Sequence, residues 1–108
     1  MALDRARAAS SPVALDWDAS LLHNIGMVHA DAGDHEAALV AFEEALEARM
    51  RIGDPARTRV ARWMVGWTLR LLGETERARD IQRALKDELD AIGEVDPYVD
   101  EELALLGG

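Results

Sequence analysis

A 40-residue internal repeat constrains this chain more than any other feature. Gly26 recurs as Gly66, Gly33 as Gly73, Ala38 as Ala78, Ile52 as Ile92 and Gly53 as Gly93. Five such pairs at one period identify a repeated supersecondary unit, which has to be read before any single element. Residues 20–46, SLLHNIGMVHADAGDHEAALVAFEEAL, hold two helical patterns hinged at Gly33. Residues 60–89, VARWMVGWTLRLLGETERARDIQRALKDEL, repeat that plan around Gly73. A helical hairpin this small cannot bury both sides of its apolar stripe, so each unit must stack on a neighbour.

Local signals divide the chain further. Ser11-Pro12, Asp54-Pro55 and Asp96-Pro97 each read as a helix start, with a capping side chain followed by a proline whose missing N–H is no loss in the first turn. Asp34 reads as a fourth N-cap, and Gly33, Gly53, Gly73 and Gly93 as stops. The predicted helices run over about 12–31, 35–52, 55–72 and 76–92, with a fifth after Asp96. The first should bury Leu22, Ile25, Gly26 and His29, which fall at i, i+3, i+4 and i+7. The second should bury Ala38, Phe42, Ala45 and Leu46, leaving Glu43, Glu44 and Glu47 outside. Val65, Gly66 and Leu69 are the expected core of the third, and Ala78, Ile81, Leu85, Leu89 and Ile92 that of the fourth. Leu103, Leu106 and Gly107 match the spacing of Leu22, Ile25 and Gly26, as though a third unit began and stopped. The expected fold is all-α: stacked antiparallel helical hairpins, two repeats plus a C-terminal capping helix. Residues 1–11 are expected to be a loosely ordered N-terminus or the remnant of a preceding helix. Residues 12–52 form the first repeat, 53–93 the second, and 94–108 the cap.

Composition narrows the functional classes. A net charge of −9 argues against a nucleic-acid backbone as ligand, which needs a basic footprint. With no cysteine, disulfides, thiolate metal sites and a cysteine nucleophile are all excluded. No apolar run approaches the roughly 20 residues of a membrane span. The N-terminal Arg/Ser/Ala run is interrupted by Asp4, Asp16 and Asp18 and has no apolar core of a signal sequence, so a cytoplasmic location is expected. The serines at 10, 11 and 20 have no base partner, and there is no glycine-rich phosphate loop. No enzymatic activity and no cofactor are expected. His29 and His35 flank a turn without a third ligand, so no metal site is expected either.

A small residue midway along the first helix, glycine at the turn, and alanine, an aromatic and alanine in the second helix resemble a tetratricopeptide repeat. The first unit carries this pattern in Leu22, Ile25, Gly26, Gly33, Ala38, Phe42 and Ala45. The second keeps Val65, Gly66, Gly73 and Ala78, but Gln82 stands in the place of Phe42, and Arg62 in that of an apolar residue. The 40-residue period exceeds the usual ~34 and resembles the longer units of kinesin light chains and bacterial regulatory proteins. The resemblance covers roughly residues 12–107. It implies a right-handed α-solenoid in which the first helix of each repeat lines a concave groove for a peptide or partner helix. The corresponding positions are His23, Asn24, Met27 and Asp31 in the first repeat and Trp63, Met64, Trp67, Arg70 and Leu71 in the second. Trp63 and Trp67 lie at i, i+4 and share a face, and aromatics, methionine and arginine together are the chemistry of binding hot spots. Asn24 can donate and accept at once. Trp17 is expected to pack at the start of its helix. The pair of groove lysines with which some members hold a C-terminal carboxylate has no counterpart.

The expected partner is a protein or peptide. Self-association of two copies is the alternative: residues 49–62 hold five arginines and one acid, and residues 87–102 hold eight acids and no base, so a basic edge could meet an acidic one.

Overall fold

The computed structural model describes residues 12–107, with side chains from Asp16 onward. The expectations for residues 1–11, including Ser11 as an N-cap, lie outside the described residues. Among the described residues five helices follow one another: α1 (Pro12–Asp31), α2 (His35–Ile52), α3 (Pro55–Leu71), α4 (Thr75–Ala91) and α5 (Pro97–Leu105). Each packs chiefly on its chain neighbours, so α1–α2 and α3–α4 are the two hairpins and α5 closes the stack on α4.

The helix ends follow from side-chain chemistry. The carboxylates of Asp34, Asp54 and Asp96 accept from the backbone N–H groups of Ala37 (3.2 Å), Ala56 (3.0 Å) and Tyr98 (2.9 Å), satisfying donors that have no partner inside the helix. Glu74, at the start of α4, makes no such bond. Three turns share one closure, in which an amide reaches back five residues: Asp34 to His29, Glu74 to Leu69 and Glu94 to Leu89, each at 2.9 Å. That geometry places the intervening Gly33, Gly73 and Gly93 at φ of 72–83°, where a side chain would be strained.

Close packing holds each hairpin. A Cβ at Gly26 would meet the Phe42 ring at 2.5 Å, and one at Gly66 would meet Gln82 Nε2 at 2.6 Å. The glycines are therefore what lets α1 approach α2 and α3 approach α4. Gln82, in the position equivalent to Phe42, is as buried as the phenylalanine, and its Nε2 donates to the Trp63 carbonyl at 3.4 Å. Phe42, Met64, Val65, Leu69, Ala78 and Leu106 form one core cluster, and Leu85, Leu89 and Val99 a second beneath α5.

Three expectations need correction. The buried line of α1 is Ala19, Gly26 and Ala30, with His23 and Met27 half-buried. Leu22 and His29 are only half-buried, and Ile25 is exposed. They face an open cleft shared with Ala37, Val40 and Ala41 of α2. Alpha1 carries apolar side chains nearly all round, so periodicity could not choose its inner face. Ile92 lies beyond the end of α4 and is exposed. Trp17 does not pack: it is 72% exposed and, with Leu21, Asn24 and Val28, forms an exposed stripe along α1.

The segregated charges meet within one molecule. Arg62 pairs with Glu88, and Arg59 approaches Glu94 at 4.0 Å, so part of the basic stretch is neutralised by the acidic one.

Candidate functional site

The residues expected to line a groove occupy three kinds of environment. Trp63 and Trp67 are both half-buried, and their rings stack at 6.3 Å with 14° between the planes. One helical turn separates them, so i, i+4 spacing alone brings the rings together. Tyr98, in the first turn of α5, meets the Trp63 ring edge-on at 6.0 Å and remains 67% exposed. The result is an aromatic row running from α3 onto α5. Met27 packs round the same core cluster as both tryptophans. Trp63 Nε1 is buried with no hydrogen-bond partner among the described residues.

Asn24 and Asp31 are exposed on α1. Met64 is not on the surface: it is buried in the main core, where its flexible side chain fills space between helices. Leu71 is exposed at the end of α3. Arg70 reaches across to α5, where Nε and Nη2 donate to the two carboxylate oxygens of Glu102 at 2.9 and 3.0 Å. Glu102 is only 3% exposed, so Arg70 is the counter-ion of a buried carboxylate and pins the capping helix.

His23 is half-buried on α1, its ring 5.7 Å from Phe42. Burial, and secondarily the Arg49 charge, lowers its pKa below the ordinary 6.5. It lines a cavity of about 210 Å³ between α1, α2 and α3, together with Ala19, Ala45, Arg49, Arg57, Val60 and Ala61. At the rim, the Asp16 carboxylate accepts from Arg49 Nη1 and from Arg57 Nη1 (2.7 Å), while Arg49 Nη2 donates to Ser20 Oγ at 3.1 Å. Above all the bond from Arg49, and beyond it the two guanidinium charges, hold Asp16 below the usual carboxylate range despite an opposing effect of burial.

Sequence reasoning missed Arg49, Arg57, Asp16 and Tyr98. A signal existed for the arginines, five within 14 residues and scarcely any local acid, but their partner lies 33 and 41 residues away. Tyr98 is the only tyrosine and directly follows a helix-starting proline.

Among the described residues, no group of histidines and acids could hold a metal ion, and no helix is long and apolar enough to cross a membrane. The family model described as tetratricopeptide repeat matches residues 17–85. No curated protein and no solved structure matched the chain.

Proposed function

The chain belongs to the tetratricopeptide repeat family, whose repeats generally mediate protein–protein interactions, and from that premise we propose a non-enzymatic module whose inner face receives a peptide or partner helix. One observation carries this reading: the stacked Trp63–Trp67 pair continued by Tyr98. Aromatic rings that are partly accessible and held rigid by each other offer large contact area at small entropic cost. Met27 and His23 extend the surface onto α1, and Asn24 and Asp31 supply polar edges. Arg70 and Met64 act from behind, by holding α5 and filling the core.

The test is selection of peptides from a display library on the purified chain, followed by measurement of affinity for Trp67→Ala. A hot-spot tryptophan contributes at least about 2 kcal/mol on truncation, or roughly 30-fold in Kd. Equal binding to the variant, with unchanged helicity, would refute the groove reading.

Exposed Leu21, Ile25, Val28 and Val40 on the open flank of the first hairpin favour a second reading, self-association through that flank. Light scattering across concentration tests it, and a monomer at the highest concentrations would exclude it.

A further inference from the structure

We infer that the cavity between α1, α2 and α3 is a carboxylate pocket that takes an acidic side chain of a bound peptide. This rests on the peptide-binding reading and specifies the chemistry of one subsite.

The first observation is the sign of the lining. The chain carries a net charge of −9, yet the cavity is walled by Arg49, Arg57 and His23 with four small or branched apolar residues and no acid. An anion-compatible surface on an acidic protein is a local arrangement that bulk composition does not produce.

The second is the set of guanidinium donors left unspent. Arg49 leaves the last turn of α2 and is only 13% exposed, so its charge has lost most of its water. Asp16, itself close to half exposed, is shared between Arg49 and the more exposed Arg57. Arg57 has a looser second counter-ion in Asp54, whose Oδ2 lies 3.8 Å from its Nε and beyond hydrogen-bond reach, so among the described residues Asp16 is the one carboxylate hydrogen-bonded to both guanidiniums. Each guanidinium has five N–H donors in a planar fork. Arg49 spends bonds from Nη1 and Nη2 on Asp16 and Ser20, and Arg57 spends Nη1 on Asp16. The remaining donors suit a second carboxylate, because the fork matches that group in two-point geometry. His23, held towards its neutral form by burial and by Arg49, adds no competing charge and can accept or donate one bond.

The third is size. About 210 Å³ falls below the roughly 300–1,000 Å³ of small-molecule sites. A space of that size takes one side chain. The apolar walls of Ala19, Ala45, Ala61 and Val60 suit the methylenes of a glutamate, whose carboxylate would meet the arginines. Asp16 then acts as a resident competitor at the rim, occupying the guanidiniums until a ligand carboxylate shares or replaces it.

The experiment is a titration of the full chain followed by proton–nitrogen correlation spectra of the Arg Nε–H, His ring and Trp indole groups. The probes are Ac-Ala-Glu-Ala-NH2, Ac-Ala-Gln-Ala-NH2 and inorganic phosphate. The glutamate peptide should shift the Arg49, Arg57 and His23 signals with a dissociation constant on the order of millimolar, and the glutamine peptide should not. Asp16→Asn should tighten glutamate binding about tenfold and Arg57→Gln should weaken it about tenfold, the change expected for one charge-assisted bond. Arg57 is largely exposed, so that variant keeps the fold even if Arg49→Gln does not. Unchanged affinity in Asp16→Asn, or phosphate shifting the same signals at lower concentration than the glutamate peptide, would overturn the assignment. The two readings fail separately. A silent pocket beside tryptophan signals that respond to selected peptides refutes only the pocket, and the reverse pattern refutes only the aromatic groove.

Discussion

Replacing Arg70 with methionine keeps an unbranched apolar stem and deletes the guanidinium, which asks directly whether this residue is a structural pin. The change removes two bonds, of 2.9 and 3.0 Å, from a carboxylate that is 3% exposed. Stripping the partner from a fully buried ion pair costs about 3–5 kcal/mol, because the remaining charge is left without water or counter-ion. Arg70 itself is 24% exposed, so some water can reach the vacated side and the cost falls to about 2–3 kcal/mol. A domain of this length has about 5–15 kcal/mol in all, so the loss is a large fraction. It should also be localised. Alpha5 packs mainly on α4, and the Arg70–Glu102 pair is its ionic tie to α3, beside the Trp63–Tyr98 ring contact. Urea denaturation followed by circular dichroism should show the lowered midpoint, and hydrogen exchange should show α5 amides opening before those of α1–α4. The double variant Arg70→Met, Glu102→Met should recover to within about 1 kcal/mol of the parent, since an apolar pair can replace a buried ionic one. A single variant costing under about 1 kcal/mol, with α5 protection unchanged, would refute the reasoning and return Arg70 to the candidate binding surface.

Two further predictions concern packing and pH. Gly26→Ala puts a Cβ at 2.5–2.8 Å from three atoms of the buried Phe42 ring, so overpacking of about 1–3 kcal/mol should outweigh the roughly 1 kcal/mol gain in helix propensity. Gly66→Ala, whose closest clash is the end of the Gln82 side chain, should lose less stability than Gly26→Ala in thermal denaturation. The lowered folded-state pKa of His23 means that the unfolded chain takes up its proton first. Stability should therefore fall as pH drops below about 6.5, and His23→Gln should remove that slope. Asp16 acts lower on the scale. Its folded-state pKa lies below 3.8, so its contribution is present above that value and lost as pH falls through the folded one. Asp16→Asn should flatten the acid limb of a stability–pH profile.

What the sequence discloses here is what depends on neighbours in the chain. Asp34, Asp54 and Asp96 cap helices and Gly33 and Gly73 turn the chain because capping and left-handed closure are decided within five residues. The Gly26–Phe42 and Gly66–Gln82 contacts were half legible: the period exposed the glycines, but nothing local said that a glutamine would be buried as deeply as a phenylalanine. The inner face of α1 was not legible, since Leu21, Leu22, Ile25, Met27 and Val28 offer apolar side chains in several directions. Only contact with α2 and α3 selects Ala19, Gly26 and Ala30. Pairings across many residues were invisible for the same reason. Arg70 reads as a free surface arginine until α5 brings Glu102 beneath it, and Arg49 reads as a helix-end cation until α1 brings Asp16 alongside.

The most direct test of the aromatic face is to follow all three indole N–H signals while titrating a peptide selected on this chain. Trp17, exposed on α1 and outside both core clusters, is the internal reference. The groove reading predicts that Trp63 and Trp67 shift together and saturate with binding, and that Trp67→Ala abolishes the response of Trp63. A selected peptide that moves Trp17 alone, or that binds Trp67→Ala as tightly as the parent, would contradict it.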